Sequence, residues 1–186
     1  MKYLELRKKI SDNIFSIADV GKYFSDESES LLRLQLSRFV KKGLIFRIKK
    51  GLYCFNKEDI DELVLAFYLY QPSYISLQTA LFYYGVIIDI PQTVTSITTI
   101  RPKFFKTPFG NYQYYKVKTD LFFGYQQIKI KESYINMATL EKALLDYFYI
   151  YKIKSVKDLR LNLEKVDKRR YQRYLKSYPD YLTGLI

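Results

Sequence analysis

The spacing of apolar residues changes at Gly43, and this change predicts a helix followed directly by a hairpin. Before Gly43, apolar residues such as Leu32 and Leu36 recur every three or four positions, as in a helix that buries one face. After it, residues 44–55 follow the two-residue period of a strand. This alternation is interrupted by Lys49-Lys50-Gly51, whose glycine suits a tight turn between two strands.

Two shorter helices are predicted upstream of this helix and hairpin. The first lies around Leu4–Ile10, and the second covers Ile17–Phe24. Ser16 with Asp19 three residues later is typical of a helix N-terminus, because each side chain can bond to the backbone N–H of the other. By the same reasoning, Asp26 is expected to cap the third helix. The order of helix, turn, helix and hairpin predicts a winged helix-turn-helix.

A helix that lacks the basic excess of the N-terminal residues marks the predicted boundary between two domains. It runs from about Lys57 to Tyr70, is expected to be capped by Asn56, and ends before Pro72, which cannot continue a helix. The expected domains are therefore residues 1–56 and residues 57–186.

The second domain is predicted to combine strands with helices. Strands are expected where β-branched and aromatic residues cluster, and helices where a capping residue precedes an apolar period. The predicted strands are residues 94–100, 112–118, 125–130 and 134–137, and the predicted helices are residues 76–85, 140–149, 156–166 and 168–178. The fold class is therefore α+β: a winged helix-turn-helix, then a mixed α/β domain with a small, mainly antiparallel sheet and C-terminal helices.

Positive charge is concentrated at the two ends of the chain. Residues 1–56 contain twelve basic and six acidic residues, residues 57–151 contain nine of each, and residues 152–186 contain ten and four. The net charge of +12 could follow from an AT-rich coding sequence, but such a bias would not leave the middle neutral. The distribution favours two basic surfaces, which suit phosphate backbones, acidic partners or anionic membranes.

The face of the third helix that lies opposite Leu36 is the predicted major-groove face. Arg can bond two acceptors of guanine, Ser can contact a base or a phosphate, and an outward Leu can meet a thymine methyl. An ordinary solvated face is the alternative, but the six basic residues between Arg38 and Lys50 are accompanied by no acidic one. Leu34 could also pack against the second domain. The helix residues predicted to bind DNA are Ser30, Arg33, Leu34, Ser37, Arg38 and Lys41.

The hairpin tip adds Arg47, Lys49 and Lys50 to the residues predicted to bind DNA. Gly51 permits the tight turn, and the long basic side chains can reach phosphates or the minor groove. Double-stranded DNA is therefore the predicted partner of this part of the chain.

A second basic helix face is predicted near the C-terminus. Over residues 168–178, Tyr and Leu side chains fall on one side of the helix and basic side chains on the other. DNA, an acidic protein surface and plain solvent all remain open as its surroundings. The face consists of Lys168, Arg169, Arg170, Arg173 and Lys176.

Most catalytic and metal sites need residue types that this sequence lacks. The chain has no His and one Cys, so a His-based triad and a cluster of soft metal ligands are both excluded. That cysteine, Cys54, is expected in the core. Glu141 and Asp146 are five residues apart on one predicted helix, so we expect a surface acid and a packing or capping acid that do not share a substrate. No enzyme activity, catalytic residue, metal or cofactor is predicted.

The sequence shows no membrane or export signal. The longest apolar runs, Leu63–Tyr70 and Ala80–Ile88, are too short to cross a bilayer, and Met1–Phe15 lacks the apolar core of a signal peptide. A cytoplasmic protein without a membrane partner is therefore expected.

Three stretches of the chain carry motifs in a distinctive order. They are Phe39-Val-Lys-Lys-Gly-Leu-Ile-Phe-Arg-Ile-Lys-Lys-Gly-Leu-Tyr53, Ser76-Leu-Gln-Thr-Ala-Leu-Phe-Tyr-Tyr-Gly85 and Ala138-Thr-Leu-Glu-Lys-Ala-Leu-Leu-Asp146. Together they resemble the wing motif, the Ala-Leu-x-x-x-Gly helix and the Ala-Thr-x-Glu-Lys-Ala-Leu-x-Asp helix of the AbiE antitoxin family.

This resemblance implies a part in a type IV toxin-antitoxin system, which acts in abortive infection as a defence against phage. The N-terminal winged helix would repress the antitoxin's own operon by binding its operator. The C-terminal domain would counter, directly or indirectly, a nucleotidyltransferase toxin that is encoded alongside, and the family's antitoxins are not enzymes. The helix with Glu141, Lys142 and Asp146 would serve the architecture of the second domain or its antitoxic surface. The alternative is a plain winged-helix regulator whose C-terminal domain binds a ligand or mediates dimerisation.

Overall fold

The computed structural model describes residues 1–157 and 159–186, which form two compact units. The first unit contains Met1–Leu69 and Lys129–Ser133, and the second contains Tyr70–Ile128 and Tyr134–Ile186. The boundary predicted after residue 56 therefore lies inside the first unit. A division of function at that boundary stays a prediction.

The N-terminal part of the first unit is built from short helices and strands. In chain order they are α1 (Tyr3–Lys9), β1 (Ile14–Ser16), α2 (Ile17–Tyr23), α3 (Glu29–Lys41), β2 (Phe46–Lys49), β3 (Leu52–Cys54) and α4 (Glu62–Leu69). The three predicted N-terminal helices and the hairpin are all formed. Strand β1 is an addition, because three residues are too few to show a two-residue period.

Side-chain caps fix where α2 and α3 begin. The Oγ of Ser16 accepts the N–H of Asp19 at 3.2 Å, and Oδ2 of Asp19 accepts the N–H of Ser16 at 2.9 Å, as predicted. The cap of α3 is Ser28, whose hydroxyl accepts the N–H of Leu31 at 3.4 Å. The prediction of Asp26 as this cap is wrong, because Ser28 lies directly before the first helical residue and provides the same acceptor.

The hairpin pairs with β1 to give a three-stranded sheet in the order β1-β3-β2. Both pairings are antiparallel, with Ile14 and Phe46 on either side of Cys54. Gly43 follows α3 at a φ of +68°, and Gly51 occupies the hairpin turn at a φ of +81°. Glycine adopts this left-handed backbone region without strain, so both glycines end an element where the sequence predicted it.

One apolar core joins the helices of this unit to its sheet. Complete burial of one leucine side chain, such as that of Leu36, stabilises a fold by roughly 1.5–3 kcal/mol. Cys54 is fully buried, and burial raises the pKa of its thiol to about 11, so its predicted place in the core is confirmed. The core cluster itself consists of Leu6, Ile10, Phe15, Val20, Leu32, Leu36, Ile45 and Tyr53.

Helix α4 begins at Glu62 and not near Lys57. Its cap is Asp61, whose Oδ1 accepts the N–H of Leu63 at 2.9 Å and that of Val64 at 3.2 Å. The predicted cap, Asn56, instead accepts the N–H of Glu58 at 3.0 Å in the turn before the helix. The acceptor nearest the apolar run therefore sets the start of the helix. Asn56 is therefore a turn residue and not the helix cap, which corrects its predicted role.

The rest of the chain supplies six strands and three α-helices among the described residues. They are β4 (Ser73–Ile75), α5 (Leu77–Tyr83), β5 (Val94–Thr98), β6 (Lys103–Thr107), β7 (Gly110–Lys116), β8 (Tyr125–Ile130), β9 (Ser133–Ala138), α6 (Leu140–Ile150) and α7 (Lys168–Leu175). Single turns of 3₁₀-helix occur at Thr119–Leu121 and Asp180–Leu182.

The second sheet is larger than predicted and mixed in direction. Its order is β6-β7-β5-β4-β9-β8, and the pairs β4–β9 and β5–β7 are parallel, whereas β4–β5 and β6–β7 are antiparallel. The expectation of a small sheet is therefore wrong, whereas the α+β class is confirmed. The additional size comes from β4 and β6, which were not predicted. Strand β4 lies between β5 and β9, and β6 lies beside β7 at the edge of the sheet.

One predicted helix, over residues 156–166, is not formed by the part of it that the structure describes. Residues 156, 157 and 159–166 lie in turns and irregular segments, and Asp158 lies outside the described residues. The helix predicted after it, α7, is formed. Asp167 caps this helix by accepting the N–H of Arg170 at 3.0 Å.

Candidate nucleic-acid interface

Helix α3 has one buried face and one exposed face. Leu32 and Leu36 belong to the core, and Phe39 and Val40 are half-buried against it. Leu34 is 49% exposed on the other side. The helix therefore offers solvent a surface that combines small polar, apolar and basic side chains, namely Ser30, Arg33, Leu34, Ser37, Arg38 and Lys41.

The two arginines of α3 have different surroundings. The Nε of Arg33 donates to Oε1 of Glu29 at 3.0 Å, and Nη2 forms a second contact with the same oxygen. Arg38 is exposed further along the helix, one turn before Lys41 and Lys42. An exposed ion pair between residues one helical turn apart contributes only about 0.3–0.5 kcal/mol to the free energy of unfolding. A phosphate could therefore replace Glu29 at Arg33 with little loss of stability.

The hairpin does not present its three basic side chains in the same way. Arg47 and Lys50 are exposed, and the Nε of Arg47 donates to the carbonyl of Lys49 at 3.4 Å. Lys49 is half-buried, and its ammonium group donates to the carbonyl of Leu69 at the last residue of α4. A cation in that position is favoured by the helix dipole. Arg47 and Lys50 are thus the hairpin cations best placed to meet a ligand in solvent.

Lys42 is a basic residue of this surface that the sequence analysis did not single out. It is exposed at the C-cap of α3, between Lys41 and the turn that leads into β2. The signal for it was present, because it belongs to the acid-free run from Arg38 to Lys50. Closely spaced cations of this kind create a positive potential that attracts a polyanion.

A comparison with protein-family models assigns this part of the chain. Residues 1–56 match the family described as transcriptional regulator, AbiEi antitoxin. The N-terminal part of the chain is therefore similar to the AbiEi antitoxin family. The matched region runs from α1 to β3 and so contains all the exposed basic residues of α3 and of the hairpin. A comparison with individual curated proteins gives no match.

The AbiE-type region is followed by the second basic element predicted from the sequence, helix α7. Tyr171 and Leu175 are buried, 1% and 7% exposed, and Tyr178 is buried just beyond the helix. The Nη1 of Arg170 lies 3.5 Å from Oε2 of Glu141, and Arg170 is half-buried. The remaining residues of the predicted face are exposed, namely Lys168, Arg169, Arg173 and Lys176.

The two acids of α6 occupy separate sites, as expected from their spacing. Asp146 is fully buried, so its prediction as a packing acid is confirmed. Glu141 is 3% exposed, and its Oε1 accepts the N–H of Asp167 at 3.0 Å. The expectation that one of the two acids lies on the surface is therefore wrong, because the buried Glu141 carboxylate holds the residue that caps α7.

A buried polar cluster surrounds Lys142, and the sequence analysis missed it. Lys142 Nζ donates to the hydroxyls of Tyr74 at 2.8 Å and Tyr178 at 2.6 Å, and to Oδ1 of Asp146. The hydroxyls of Tyr74 and Ser76 donate to Oδ2 of Asp146 at 3.0 and 2.8 Å, and that of Tyr178 donates to Oδ1 at 2.7 Å. The available signal was a lysine inside an apolar helix with an acid four residues later.

The described residues contain no helix that is both long enough and apolar enough to cross a lipid bilayer.

Proposed function

We propose that this chain is a DNA-binding antitoxin that represses its own toxin-antitoxin operon and counters a nucleotidyltransferase toxin. The observation that carries the proposal is the exposed basic surface of α3 and the hairpin within the region that matches the AbiEi family. In this proposal α2 and α3 are the helix-turn-helix, and β2–β3 is the wing. No residue is assigned a catalytic role.

Base reading is assigned to the exposed face of α3. In a helix-turn-helix protein the second helix lies in the major groove, where its side chains meet base edges. Arg38 carries a guanidinium that matches the two acceptors of guanine, and Ser30 and Ser37 carry hydroxyls that suit either a base or a phosphate. Leu34 is exposed without a charge, which suits contact with a thymine methyl.

Phosphate contact is assigned to the basic residues that follow this face. Lys41 and Lys42 end the helix, and Arg47 and Lys50 extend from the hairpin. Contacts of this type fix the register of a protein on the duplex and supply most of the non-specific affinity. Lys49 would have to release the carbonyl of Leu69 before it could join them.

The DNA-binding half of the proposal is tested with the full-length protein and the DNA upstream of its operon. Fluorescence anisotropy is measured over a series of salt concentrations, with a scrambled duplex of equal length as the control. We expect tighter binding to the upstream DNA, and an affinity whose logarithm falls by about 0.9 per phosphate contact for each decade of salt. An affinity that does not change with salt, or equal affinity for both duplexes, would overturn this assignment.

The antitoxin half is tested in cells that express the neighbouring nucleotidyltransferase. Co-expression of the full-length chain should restore growth, directly through a complex or indirectly through the toxin's target. The matched control is the double variant Arg38→Ala/Lys50→Ala expressed from a foreign promoter. We expect it to restore growth as well as the wild type, because DNA contact is not needed once the operon promoter is absent. Soluble wild-type protein that gives no rescue would contradict the proposal.

A further inference from the structure

A cavity of about 670 Å³ opens on the second unit. Its floor is one face of the six-stranded sheet, where Phe104, Gln113 and Thr95 are register neighbours on β6, β7 and β5. Tyr115 is two residues further along β7 and shares this face, because side chains alternate along a strand. Small-molecule sites typically measure roughly 300–1,000 Å³, so the cavity has the size of a ligand site.

Aromatic rings form one wall of the cavity. Tyr147 and Tyr151 line it from the end of α6, and their ring centroids are 5.1 Å apart. The ring of Tyr151 also lies 5.8 Å from that of Tyr115, and their hydroxyl oxygens are 3.0 Å apart. Phe104 remains 52% exposed on the floor. A flat, unsaturated ligand could cover this ring and remove its apolar surface from water.

Two amide side chains give the cavity a donor and an acceptor. The Oε1 of Gln78 accepts the hydroxyl of Tyr151 at 3.1 Å, which leaves the amide N–H groups of Gln78 as donors. The Nε2 of Gln113 donates to the carbonyl of Tyr114 at 3.2 Å, which leaves the amide oxygen of Gln113 as an acceptor. The edge of a nucleobase carries both donors and acceptors and is matched by such a pair.

Among the described residues, the cavity is lined by one basic and one acidic side chain, Arg160 and Asp89, and both are exposed. A guanidinium matches a phosphate group with two parallel hydrogen bonds. A carboxylate can accept hydrogen bonds from the hydroxyls of a ribose. One arginine fits one phosphate group, and the aspartate would repel further phosphates.

We propose that this cavity binds a nucleoside monophosphate, with its base on Phe104, its ribose hydroxyls on Asp89 and its phosphate on Arg160. Such a site adds small-molecule binding to the proposed function, and it does not depend on whether the second unit counters a toxin. A lipid chain would need a continuous apolar lining, but here amide and charged side chains lie among the rings.

The test is isothermal titration calorimetry of the full-length protein with AMP, GMP, CMP and UMP in turn. Inorganic phosphate and the four nucleosides are titrated as partial ligands, because a chain with a net charge of +12 attracts anions non-specifically. We expect one monophosphate or more to bind one site per chain, at least about tenfold more tightly than its nucleoside, since a charge-assisted phosphate contact is lost in the nucleoside.

Two substitutions at exposed positions of the cavity test the assignment of the groups. Arg160→Gln removes the guanidinium, and Phe104→Ala removes the stacking ring. Each substitution should lower the affinity for the monophosphate about tenfold or more. The matched controls are Arg101→Gln and Tyr134→Ala, which change an exposed arginine and a 58% exposed aromatic ring that do not line the cavity. If Phe104→Ala lowers the melting temperature strongly, Phe104→Leu keeps the apolar volume and still removes the π-face.

Several results would overturn the proposal. One is that none of the four monophosphates binds saturably, and another is that inorganic phosphate binds with equal affinity. A third is that the cavity variants and their controls lose affinity for the monophosphate equally. Binding of a single-stranded oligonucleotide without binding of any monophosphate would also overturn it, because the site would then recognise a polymer.

Discussion

Lys142 and Asp146 form an ion pair inside the second unit, where neither side chain is exposed to solvent. They are four residues apart on α6, which places them on the same side of one helical turn. Burial lowers the pKa of Lys142, although the charge of Asp146 opposes this effect. Burial also raises the pKa of Tyr74 and Tyr178, so both hydroxyls stay protonated and can donate to Asp146. The cluster therefore joins β4 and α6 to Tyr178, three residues beyond α7, through hydrogen-bonded polar groups.

Asp146→Asn should strongly destabilise the second unit. The variant leaves the Lys142 ammonium buried without a counter-charge, and breaking such a pair from one side typically costs about 3–5 kcal/mol. The free energy of unfolding is measured by urea denaturation monitored by circular dichroism. The double variant Lys142→Met/Asp146→Asn removes both charges and should recover a substantial part of the loss.

The exposed pair of Arg33 and Glu29 is the control for this prediction. Arg33→Ala should change the free energy of unfolding by no more than about 0.5 kcal/mol, because water and salt screen an exposed pair. Equal effects of Arg33→Ala and Asp146→Asn would mean that burial of the Lys142 pair does not matter for stability.

The cap of α2 should make the first unit sensitive to acid. Burial alone would raise the pKa of Asp19, but hydrogen bonds from Lys22 and Ser16 outweigh it and hold the pKa below the ordinary value of 3.8. A carboxyl with a lowered folded pKa stabilises the fold above its unfolded pKa, and this contribution is lost as the pH falls through the folded pKa. Asp19→Asn should therefore lower the free energy of unfolding near neutral pH. At about pH 3 the free energies of unfolding of the variant and the wild type should differ less.

Urea denaturation at both pH values measures this effect, and Asp26→Asn is the matched control. Asp26 is exposed and lies in the same unit but does not cap α3. Asp26→Asn should change the free energy of unfolding only slightly at both pH values. In the same assay, Ser16→Ala should cost about 1 kcal/mol, which is typical of a lost N-cap. A constant effect of Asp19→Asn across the two pH values would contradict the predicted role of its charge.

Local signals in the sequence correctly located several boundaries of helices and strands, although the caps expected at Asp26 and Asn56 were displaced by nearer acceptors. Ser16 and Asp19 located the start of α2, and Gly43 and Gly51 located the end of α3 and the hairpin turn. These features depend on contacts between neighbours in the chain, or on a positive φ that glycine adopts readily. The exposed face of α3 follows from the helical period for the same reason.

Features that depend on distant contacts were not predictable in this way. Strand β4 has three residues and acquires its place only by pairing with β5 and β9. The burial of Lys142 depends on Tyr74 and Tyr178, which are remote in the sequence. Lys49 was expected at an exposed hairpin tip, but its ammonium group bonds to Leu69, twenty residues later. Periodicity carries no information about such partners.

Arg38→Ala and Lys50→Ala should affect DNA binding in different ways. Loss of a bidentate contact to guanine should cost about 1–3 kcal/mol on the operator and reduce discrimination against a scrambled duplex. Loss of a phosphate contact should weaken both duplexes about equally and lower the salt slope by about one. Anisotropy titrations on the two duplexes measure both effects. If both variants lost discrimination to the same extent, the division between α3 and the hairpin would be incorrect.

Reversal of charge on α7 should identify the partner of its basic face. Lys168 and Arg169 lie in the first turn of the helix, where the helix dipole disfavours cations, so local helix stability does not explain them. The triple variant Arg169→Glu/Arg173→Glu/Lys176→Glu would repel any anionic partner, while Tyr171 and Leu175 continue to anchor the helix.

We expect loss of promoter repression with toxin rescue intact if the face binds DNA, and loss of rescue with repression intact if it binds an acidic protein surface. Repression is measured with a promoter reporter and rescue by growth, after a thermal melt has established that the variant is folded. A folded variant that retains both activities would assign the face to solvent and exclude it from either function.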